Sequence, residues 1–130
     1  MGLILDTNFV IAAEREARRG VPGRTDAFLA RRTDETFFLT FTVAGELACG
    51  QSANARRDWE LLCRPYPILP WTMEIAWHYG ETYRLLSAAG KLIGANDLWI
   101  AAAALAHGHG VVTNNTDEFR RVPGLTVEAF

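Results

Sequence analysis

Apolar and polar residues along the first third of the chain follow the pattern of strands that alternate with helices. The apolar run at residues 3–5 predicts a buried strand, and the segment after it predicts a helix that Gly20 ends. Residues 36–40 predict a second buried strand, and Thr25 or Asp26 can cap a helix between the two. This alternation predicts a parallel sheet with helices on both faces.

The remainder of the chain continues the same alternation. Further helices are predicted from about residue 42 and over about 54–62, 72–89 and 96–107. Further strands are predicted at YPILP (66–70), GVVT (110–113) and near the final LTVEAF (125–130). The expected fold is therefore a single α/β domain over residues 1–130, with a central five-stranded parallel sheet and helices on both faces.

Length and composition fit one globular domain. With 130 residues, of which 49% are hydrophobic and 22% charged, the chain can bury an ordinary core. The longest apolar run, residues 99–106, is far shorter than the roughly 20 residues of a membrane span, and no signal peptide is recognisable. We expect a cytoplasmic protein with no membrane association. Cys49 and Cys63 lack metal-ligand spacing and are expected to be free and buried, and the four tryptophans are expected in the core.

The formal net charge of −2 would ordinarily argue against a nucleic-acid-binding protein. However, twelve of the thirteen basic residues are arginines, and several lie in short clusters such as Arg18–Arg19 and Arg31–Arg32. The guanidinium group matches phosphate geometry, although such clusters are also typical of solvated helix faces. The charge pattern leaves both interpretations open.

Acidic and amide side chains follow the predicted strands at the point where each strand ends. Asp6 comes directly after the first strand, and Glu46 lies in the first turns of the helix after the second. Asp97 opens the helix that precedes the fourth strand. The turn after the fourth strand adds Asn115, Asp117 and Glu118. Because ligands of open α/β sheets bind outside the carboxyl ends of the strands, we expect these side chains to lie close together.

Each of these acids also has a purely structural interpretation. Asp6 and Asp97 can cap helices, because a carboxylate accepts free N–H groups and suits the positive end of the helix dipole. The acids of the turn can simply be solvated. Glu46 is harder to explain in this way, since a carboxylate among apolar neighbours is costly to bury without a partner.

Three carboxylates held close together need a counter-charge. Two unit charges about 4 Å apart repel by about 4 kcal/mol at an effective dielectric constant of about 20, and a divalent cation removes that cost. Oxygen ligands without cysteine or histidine favour Mg²⁺, with Mn²⁺ as the alternative. His107 and His109 fall at the opposite, amino end of the fourth strand and are expected to be loop residues, not metal ligands.

Four segments, in order along the chain, resemble the motifs of PIN-domain ribonucleases, in particular the VapC toxins of bacterial type II toxin–antitoxin pairs. They are LILDTN, TVAGELACG, GANDLWIAAAALAHG and VVTNNTDEFRRVPGLTVEAF. The resemblance implies a PIN-like fold and a Mg²⁺-dependent endoribonuclease. It also implies a homodimer, an RNA substrate such as a transfer or ribosomal RNA, and an antitoxin protein as partner.

The same resemblance assigns roles to individual residues. Asp6, Asp97 and Glu46 would bind the metal, and Glu118 would be the fourth catalytic acid. Asn115 and Asp117 are alternatives for that fourth position, because some family members place their acid where this chain has Asn115. The polar positions that support the acids correspond to Thr7, Asn8, Asn96 and Thr113.

Three other function classes compete with a nuclease. One is a PIN fold that only binds RNA or protein. A phosphoacceptor receiver domain would need an acidic pair near the first strand and a lysine after the last, whereas Asp6 stands alone and Lys91 falls in a predicted loop. A phosphatase of the haloacid-dehalogenase type would need a second aspartate two residues after Asp6, where this chain has Asn8.

Overall fold

The computed structural model of the protein describes residues 2–50 and 54–130. Within these ranges the chain forms four strands and seven helices. The strands are β1 (Gly2–Leu5), β2 (Thr36–Phe38), β3 (Gly110–Val112) and β4 (Val127–Glu128). The helices are α1 (Thr7–Arg19), α2 (Arg24–Arg31), α3 (Phe41–Ala48), α4 (Arg56–Cys63), α5 (Met73–Ala88), α6 (Ala95–His107) and α7 (Thr116–Phe119).

The strands form one parallel sheet in the order β2-β1-β3-β4. Strand β1 is fully buried at its centre, and its last residue, Leu5, is paired with Val112 of β3. One residue further on, the N–H of Asp6 donates to the carbonyl of Val112 at 3.0 Å. The predicted parallel α/β arrangement is therefore confirmed, and the carboxyl ends of β1 and β3 lie side by side.

The prediction of five strands is wrong. The segment at 66–70 forms only an isolated parallel bridge, between Leu39 and Ile68, at the end of β2. Leu39 donates its N–H to the carbonyl of Pro67, and Leu69 donates to the carbonyl of Leu39, both at 2.9 Å. Pro67 faces β2 but has no N–H to donate, and the chain after Leu39 enters α3 at Phe41, so the pairing cannot extend into a ladder.

Local signals determine the ends of α1 as predicted. Asp6 is the N-cap, and its side chain accepts the N–H of Thr7. Gly20 is the C-cap, in the left-handed conformation with φ of 68° that favours glycine.

The start of α2 differs from the prediction that Thr25 or Asp26 caps it. Gly23 is the N-cap and has no side chain to offer, and Thr25 and Asp26 lie inside the first turn. The carboxylate of Glu16 on α1 instead accepts the backbone N–H and the hydroxyl of Thr25, the latter at 2.7 Å. The free amides of α2 are thus satisfied from a neighbouring helix, which no local pattern predicts.

The core lies between the sheet and the helices on its two faces. Phe9 of α1 is fully buried and makes edge-on contacts with Phe28 of α2, at 5.9 Å between ring centroids, and with Phe130, at 4.8 Å. Elsewhere in the core, α5 packs along α6, where the alanines 101–104 are buried. No helix within the described ranges is both long and apolar enough to cross a bilayer.

Two expectations about burial are only partly correct. Cys63 is a buried free thiol, but Cys49 is free and exposed. Trp59 and Trp99 pack against the core, whereas Trp71 is 42% exposed and Trp77 58% exposed. The exposed tryptophans therefore belong to a surface, not to the core.

The contacts of Phe9 predict a large cost for its truncation. Phe9→Ala should lower the free energy of unfolding by about 3–5 kcal/mol, because it leaves a cavity between α1, α2 and the C-terminus. Val21→Ala, at a position 64% exposed, should change it by less than about 0.5 kcal/mol. Urea denaturation followed by circular dichroism measures both, and similar values for the two variants would contradict this description of the core.

Candidate active site

Asp6 lies at the end of β1 with its carboxylate buried and both of its oxygen atoms hydrogen-bonded. Asp6 is only 5% exposed. Its Oδ1 accepts the N–H of Thr7 at 2.8 Å. Its Oδ2 accepts the hydroxyl of Thr113 at 2.7 Å and the amide of Asn8 at 3.1 Å. Asp6 thus caps α1 and at the same time holds a carboxylate at the rim of the sheet.

Thr113 connects this carboxylate to the segment after β3. Its buried hydroxyl donates to Asp6 and accepts the N–H of Asn115 at 2.9 Å. The amide of Asn8 also donates to Thr113 at 3.3 Å, and its carbonyl oxygen accepts the N–H of Asn114 at 3.2 Å. The two strand ends are therefore joined by side chains as well as by the sheet.

A second group of polar side chains comes from α6 and α7. The Nδ2 atom of Asn115 donates to Asp97 Oδ2 and to Glu118 Oε2, both at 3.1 Å. Asp97 lies in the first turn of α6 but does not cap it, since Gly94 is the N-cap and has no side chain. Asp97 is thus not the helix cap, although its carboxylate lies in the first turn, where it suits the helix dipole, and its hydrogen-bond partner is a residue after β3.

Glu46 approaches the same rim from α3. Thr7 donates its hydroxyl to Glu46 Oε1 at 3.1 Å, so the residue after Asp6 binds the acid of another helix. The orientation of α3 is supported at two points. Thr40 caps the helix by accepting the N–H of Val43 at 3.2 Å, and Trp59 of α4 donates to the carbonyl of Ala44 at 2.8 Å.

The charges of these acids act on one another. The pKa of Asp97 is raised to about 7. The causes, beginning with the largest, are burial, the charge of Asp6, a hydrogen bond with Glu118 together with its charge, and the charge of Glu46. Burial raises the pKa of Asp6 against the opposing effect of its hydrogen bonds. Burial, together with the charge of Asp6, also raises the pKa of Glu46. Such mutually perturbed carboxyl groups are typical of functional sites.

The donor set consists of oxygen atoms and suits a hard cation such as Mg²⁺, which is commonly held by one or two carboxylates plus water. In the described part of the chain, no group of three acidic, histidine or cysteine side chains is placed so that it could hold a metal ion. His109 lies elsewhere, where it accepts the N–H of Gly2 at 3.1 Å and stacks on Phe38.

Two of the predicted supporting residues remain outside this network. Asn96 and Asp117 are exposed, and the structure gives their side chains no hydrogen bond within residues 2–50 and 54–130. Asp117 and Glu118 are neighbours in a helical turn, so their side chains point in different directions. Among the candidates for the fourth position, Asn115 and Glu118 both join Asp97.

A groove of about 570 Å³ lies beside Glu46 and was not predicted from the sequence. Its lining combines apolar and charged side chains of α1, α3 and α4, including Ile11, Leu47 and Leu62 with Glu14, Arg15 and Arg18. The sequence contains a signal for this surface in Arg15 and Arg18. They lie three residues apart on α1, which places them on the same helix face.

The raised pKa of Asp97 predicts how stability depends on pH without a metal ion. Below pH 3.8 the carboxyl group is protonated in folded and unfolded chains alike, and above about pH 7 it must ionise in the folded chain at a cost. In EDTA, Asp97→Asn should therefore stabilise the chain at pH 8 but not at pH 4. We expect this stabilisation at pH 8 to be roughly 1–2 kcal/mol. Each tenfold change in proton affinity corresponds to ~1.4 kcal/mol, and solvent screens part of the effect.

Urea denaturation at both pH values measures this difference. Asp117→Asn is the matched control, since it removes the same charge from an exposed acid for which residues 2–50 and 54–130 show no hydrogen bond, and it should leave stability unchanged. Equal stability of Asp97→Asn and the natural chain at pH 8 would contradict the electrostatic description of the site.

The chain is similar to proteins of one family over nearly its whole length. The family model described as PIN domain matches residues 3–125. Ribonuclease VapC1 from Haemophilus influenzae (strain R2866) is 30% identical over 124 residues, which cover 94% of this chain and 92% of that protein. Ribonuclease VapC from Rickettsia bellii is 30% identical over 135 residues, which cover 98% of this chain and 95% of that protein.

Solved structures share the fold described above. VapBC-1 from nontypeable Haemophilus influenzae matches with a TM-score of 0.81 at 29% identity, over 99% of this chain and 98% of that chain. VapBC2 from Rickettsia felis, solved with a DNA fragment from its promoter, matches with a TM-score of 0.85 at 27% identity and the same coverage. Together with the agreement in sequence, these structures show that the chain belongs to the PIN domain family and, within it, to the VapC group.

Proposed function

We propose that the protein is a Mg²⁺-dependent endoribonuclease and the toxin of a VapBC-like toxin–antitoxin pair. The observation that carries this proposal is that Asp6, Glu46 and Glu118 lie near enough to Asp97 for their charges, together with burial, to raise its pKa to about 7. The relatives named Ribonuclease VapC support an enzyme that hydrolyses RNA.

The proposed metal ligands are Asp6 and Asp97, with Glu46 as the third acid. When bound, a divalent cation supplies Lewis-acid polarisation of a phosphoryl oxygen and lowers the pKa of a nearby water molecule. Thr7, Asn8 and Thr113 hold the two carboxylates of Asp6 and Glu46 in position through the hydrogen bonds described above. A cation at this place would also offset the repulsion between the acids.

Glu46 is suited to a second role, as the acceptor of a proton from the attacking water. Its Oε1 is engaged by Thr7, and the structure gives Oε2 no hydrogen bond within the described ranges. Burial raises the pKa of Glu46, which brings a carboxylate closer to the pKa range in which general bases are most effective near neutral pH.

The groove beside Glu46 offers a path for the RNA backbone. Arg15 and Arg18 line it together with Glu46, so guanidinium groups and a catalytic acid share one surface. Binding of phosphates by arginine releases counterions from the nucleic acid and is not specific for sequence. We propose RNA as the substrate class, with transfer or ribosomal RNA as examples.

The same groove suits a protein partner, because its apolar side chains Ile11, Leu47 and Leu62 can bury a segment of another chain. The solved VapBC structures are toxin–antitoxin complexes of similar proteins. We propose that a cognate antitoxin binds here and thereby covers Glu46. We also propose a cytoplasmic location for this activity.

A second copy of the chain is the proposed partner for another surface. Four aromatic rings, which we call the aromatic surface, contact one another in a row from α3 to α5. Phe41 lies 6.3 Å from Trp71, Trp71 lies 4.9 Å from Trp99, and Trp99 stacks on Tyr79 at 3.8 Å. Exposed Phe41 and Trp71 make this surface favourable to bury in a homodimer.

A PIN fold that binds RNA or protein without cleaving it remains the alternative. The complete set of acids argues for turnover, since binding alone does not require carboxylates that repel one another. The receiver-like and phosphatase interpretations are excluded, because the chain belongs to the PIN family.

Cleavage of total cellular RNA by the purified chain, freed from any bound partner, tests the proposed activity. Discrete fragments should form in Mg²⁺ and not in EDTA, and Asp6→Asn should lower the rate roughly 100-fold or more. Asp34→Asn changes the same charge at an exposed position between α2 and β2 and should cleave normally. If folded protein cleaves none of several RNA pools, the binding-only alternative is favoured.

Light scattering after size-exclusion chromatography tests the proposed homodimer. The natural chain should elute with the mass of a dimer, and Trp71→Glu should elute as a monomer, because a charge in the aromatic surface would be desolvated on association. Val21→Glu places the same charge on exposed apolar surface outside the aromatic surface and should remain dimeric. A monomeric natural chain at micromolar concentration would refute the homodimer.

A further inference from the structure

A guanidinium group is held in place close to the segments that carry Asp97 and Glu118. Arg121 follows α7, and its Nη1 donates to the carbonyl of Leu92 at 3.1 Å. Leu92 belongs to the loop between α5 and α6, which leads into the turn of Asp97. Since Asn115 already joins the side chains of Asp97 and Glu118, Arg121 forms a second link between the same two segments.

The positive charge of Arg121 is not neutralised by an acid. Asp117 and Glu118 precede it by about one helical turn, but neither forms an ion pair with it within the described ranges. The carbonyl of Leu92 is a neutral acceptor, so this hydrogen bond fixes the guanidinium group and leaves its charge. The group has five N–H donors, and on an exposed side chain the others are open to a ligand.

Lys91 brings a second positive charge to the same loop. It precedes Leu92, is exposed, and has no ion pair in the part of the chain that the structure describes. Its backbone N–H donates to the carbonyl of Leu86 at 2.8 Å, which holds the start of the loop against the end of α5. We call Arg121 and Lys91 the basic pair.

The basic pair and the groove lie at opposite ends of the hydrogen-bond network of the site. This network runs from Glu46, beside the groove, through Asp6 to Asp97 and Glu118, whose segments carry the basic pair. Two arginines line the groove, so positive charges flank the acids at both ends.

This arrangement suits a polyanion that crosses the acids. An RNA strand carries a phosphate on each side of any phosphodiester bond that is cut, and each of these phosphates would approach like charges at the acids. A guanidinium group with unused N–H donors matches the oxygen atoms of a phosphate. A cation on each side of the acids therefore offers both flanking phosphates a partner.

We propose that the basic pair binds a phosphate of the RNA strand, at the end of the site opposite the groove. This inference rests on the proposed function, because it takes RNA as the substrate and the acids as the place of cleavage. The groove and the basic pair would hold the strand on the two sides of the cut. Contacts to phosphates set the register of a nucleic acid and do not read its sequence.

Steady-state cleavage of a short RNA tests the proposal, with an RNA that spans a cut mapped in total cellular RNA. Arg121→Gln should raise KM about twofold to fivefold and leave kcat unchanged, because an exposed ionic contact away from the reacting atoms binds substrate and transition state equally. The slope of log(kcat/KM) against log salt concentration should become shallower by about 0.7, the value for one phosphate contact on a single strand. Lys91→Gln should change KM and this slope in the same direction.

A purely structural role of Arg121 predicts a different result. If Arg121 only holds the loop before Asp97, Arg121→Gln should lower kcat and leave KM and the salt dependence unchanged, and that outcome would overturn the proposal. Arg121→Lys keeps the positive charge and should keep the natural slope. Circular dichroism checks that each variant is folded.

Arg31→Gln is the matched control. Arg31 is also an exposed arginine, but it ends α2 just before β2, at the amino end of the strands and opposite the rim that carries the acids. Its KM and salt dependence should equal those of the natural chain. An equal loss of slope in Arg31→Gln and Arg121→Gln would show an effect of overall charge and would overturn the basic pair as a site.

A neutral methylphosphonate in place of one phosphate locates the contact on the RNA. It is placed at a 2′-deoxy nucleotide and compared with an ordinary phosphate at the same nucleotide. At one position beside the cut, the neutral group should raise KM for the natural chain and have no further effect on Arg121→Gln, since the contact is already lost. Independent, additive effects at every position would contradict a phosphate contact of Arg121.

These outcomes separate the basic pair from the proposed nuclease. If the natural chain cleaves RNA in Mg²⁺ and Arg121→Gln matches it in KM and salt dependence, the basic pair is refuted and the nuclease stands. If the folded natural chain cleaves no RNA, the proposed function and this inference fail together.

Discussion

The buried carboxylate of Asp6 is the constraint around which the site is arranged. A carboxylate that is 5% exposed must be fully hydrogen-bonded or carry a large desolvation cost. Its donors come from the first turn of α1 and from Thr113, 107 residues away along the chain. Because β1 and β3 are paired in parallel with Leu5 opposite Val112, the register of the sheet itself brings Thr113 to Asp6.

The remaining acids are stable near Asp6 because hydrogen-bond donors accompany them. Thr7 binds Glu46, and Asn115 binds both Asp97 and Glu118. These donors reduce the repulsion but do not remove it, since the pKa of Asp97 is still raised to about 7. A site of this kind costs stability in the free chain, and a cation that binds there would return some of that stability.

Binding surfaces lie close to the chemistry in this small domain. The groove lined by α1, α3 and α4 includes Glu46 itself, so any segment that fills the groove covers an acid of the site. Under the proposed function, RNA and antitoxin would then compete for one surface, and inhibition would require no change of fold. The aromatic surface begins at Phe41 in the first turn of α3, the helix that also carries Glu46.

The sequence by itself determined the elements whose signals are local. Asp6 and Gly20 mark the ends of α1, the apolar runs mark the strands, and the parallel α/β order places Asp6, Glu46 and Asp97 at one rim. Only the tertiary structure decided that the segment at 66–70 forms a single bridge, that Glu16 caps α2, and that Asn115 joins two acids while Asp117 faces solvent. The reason is physical. Caps and periodicity depend on neighbours along the chain, whereas the partner of a buried polar side chain depends on residues that only folding brings together.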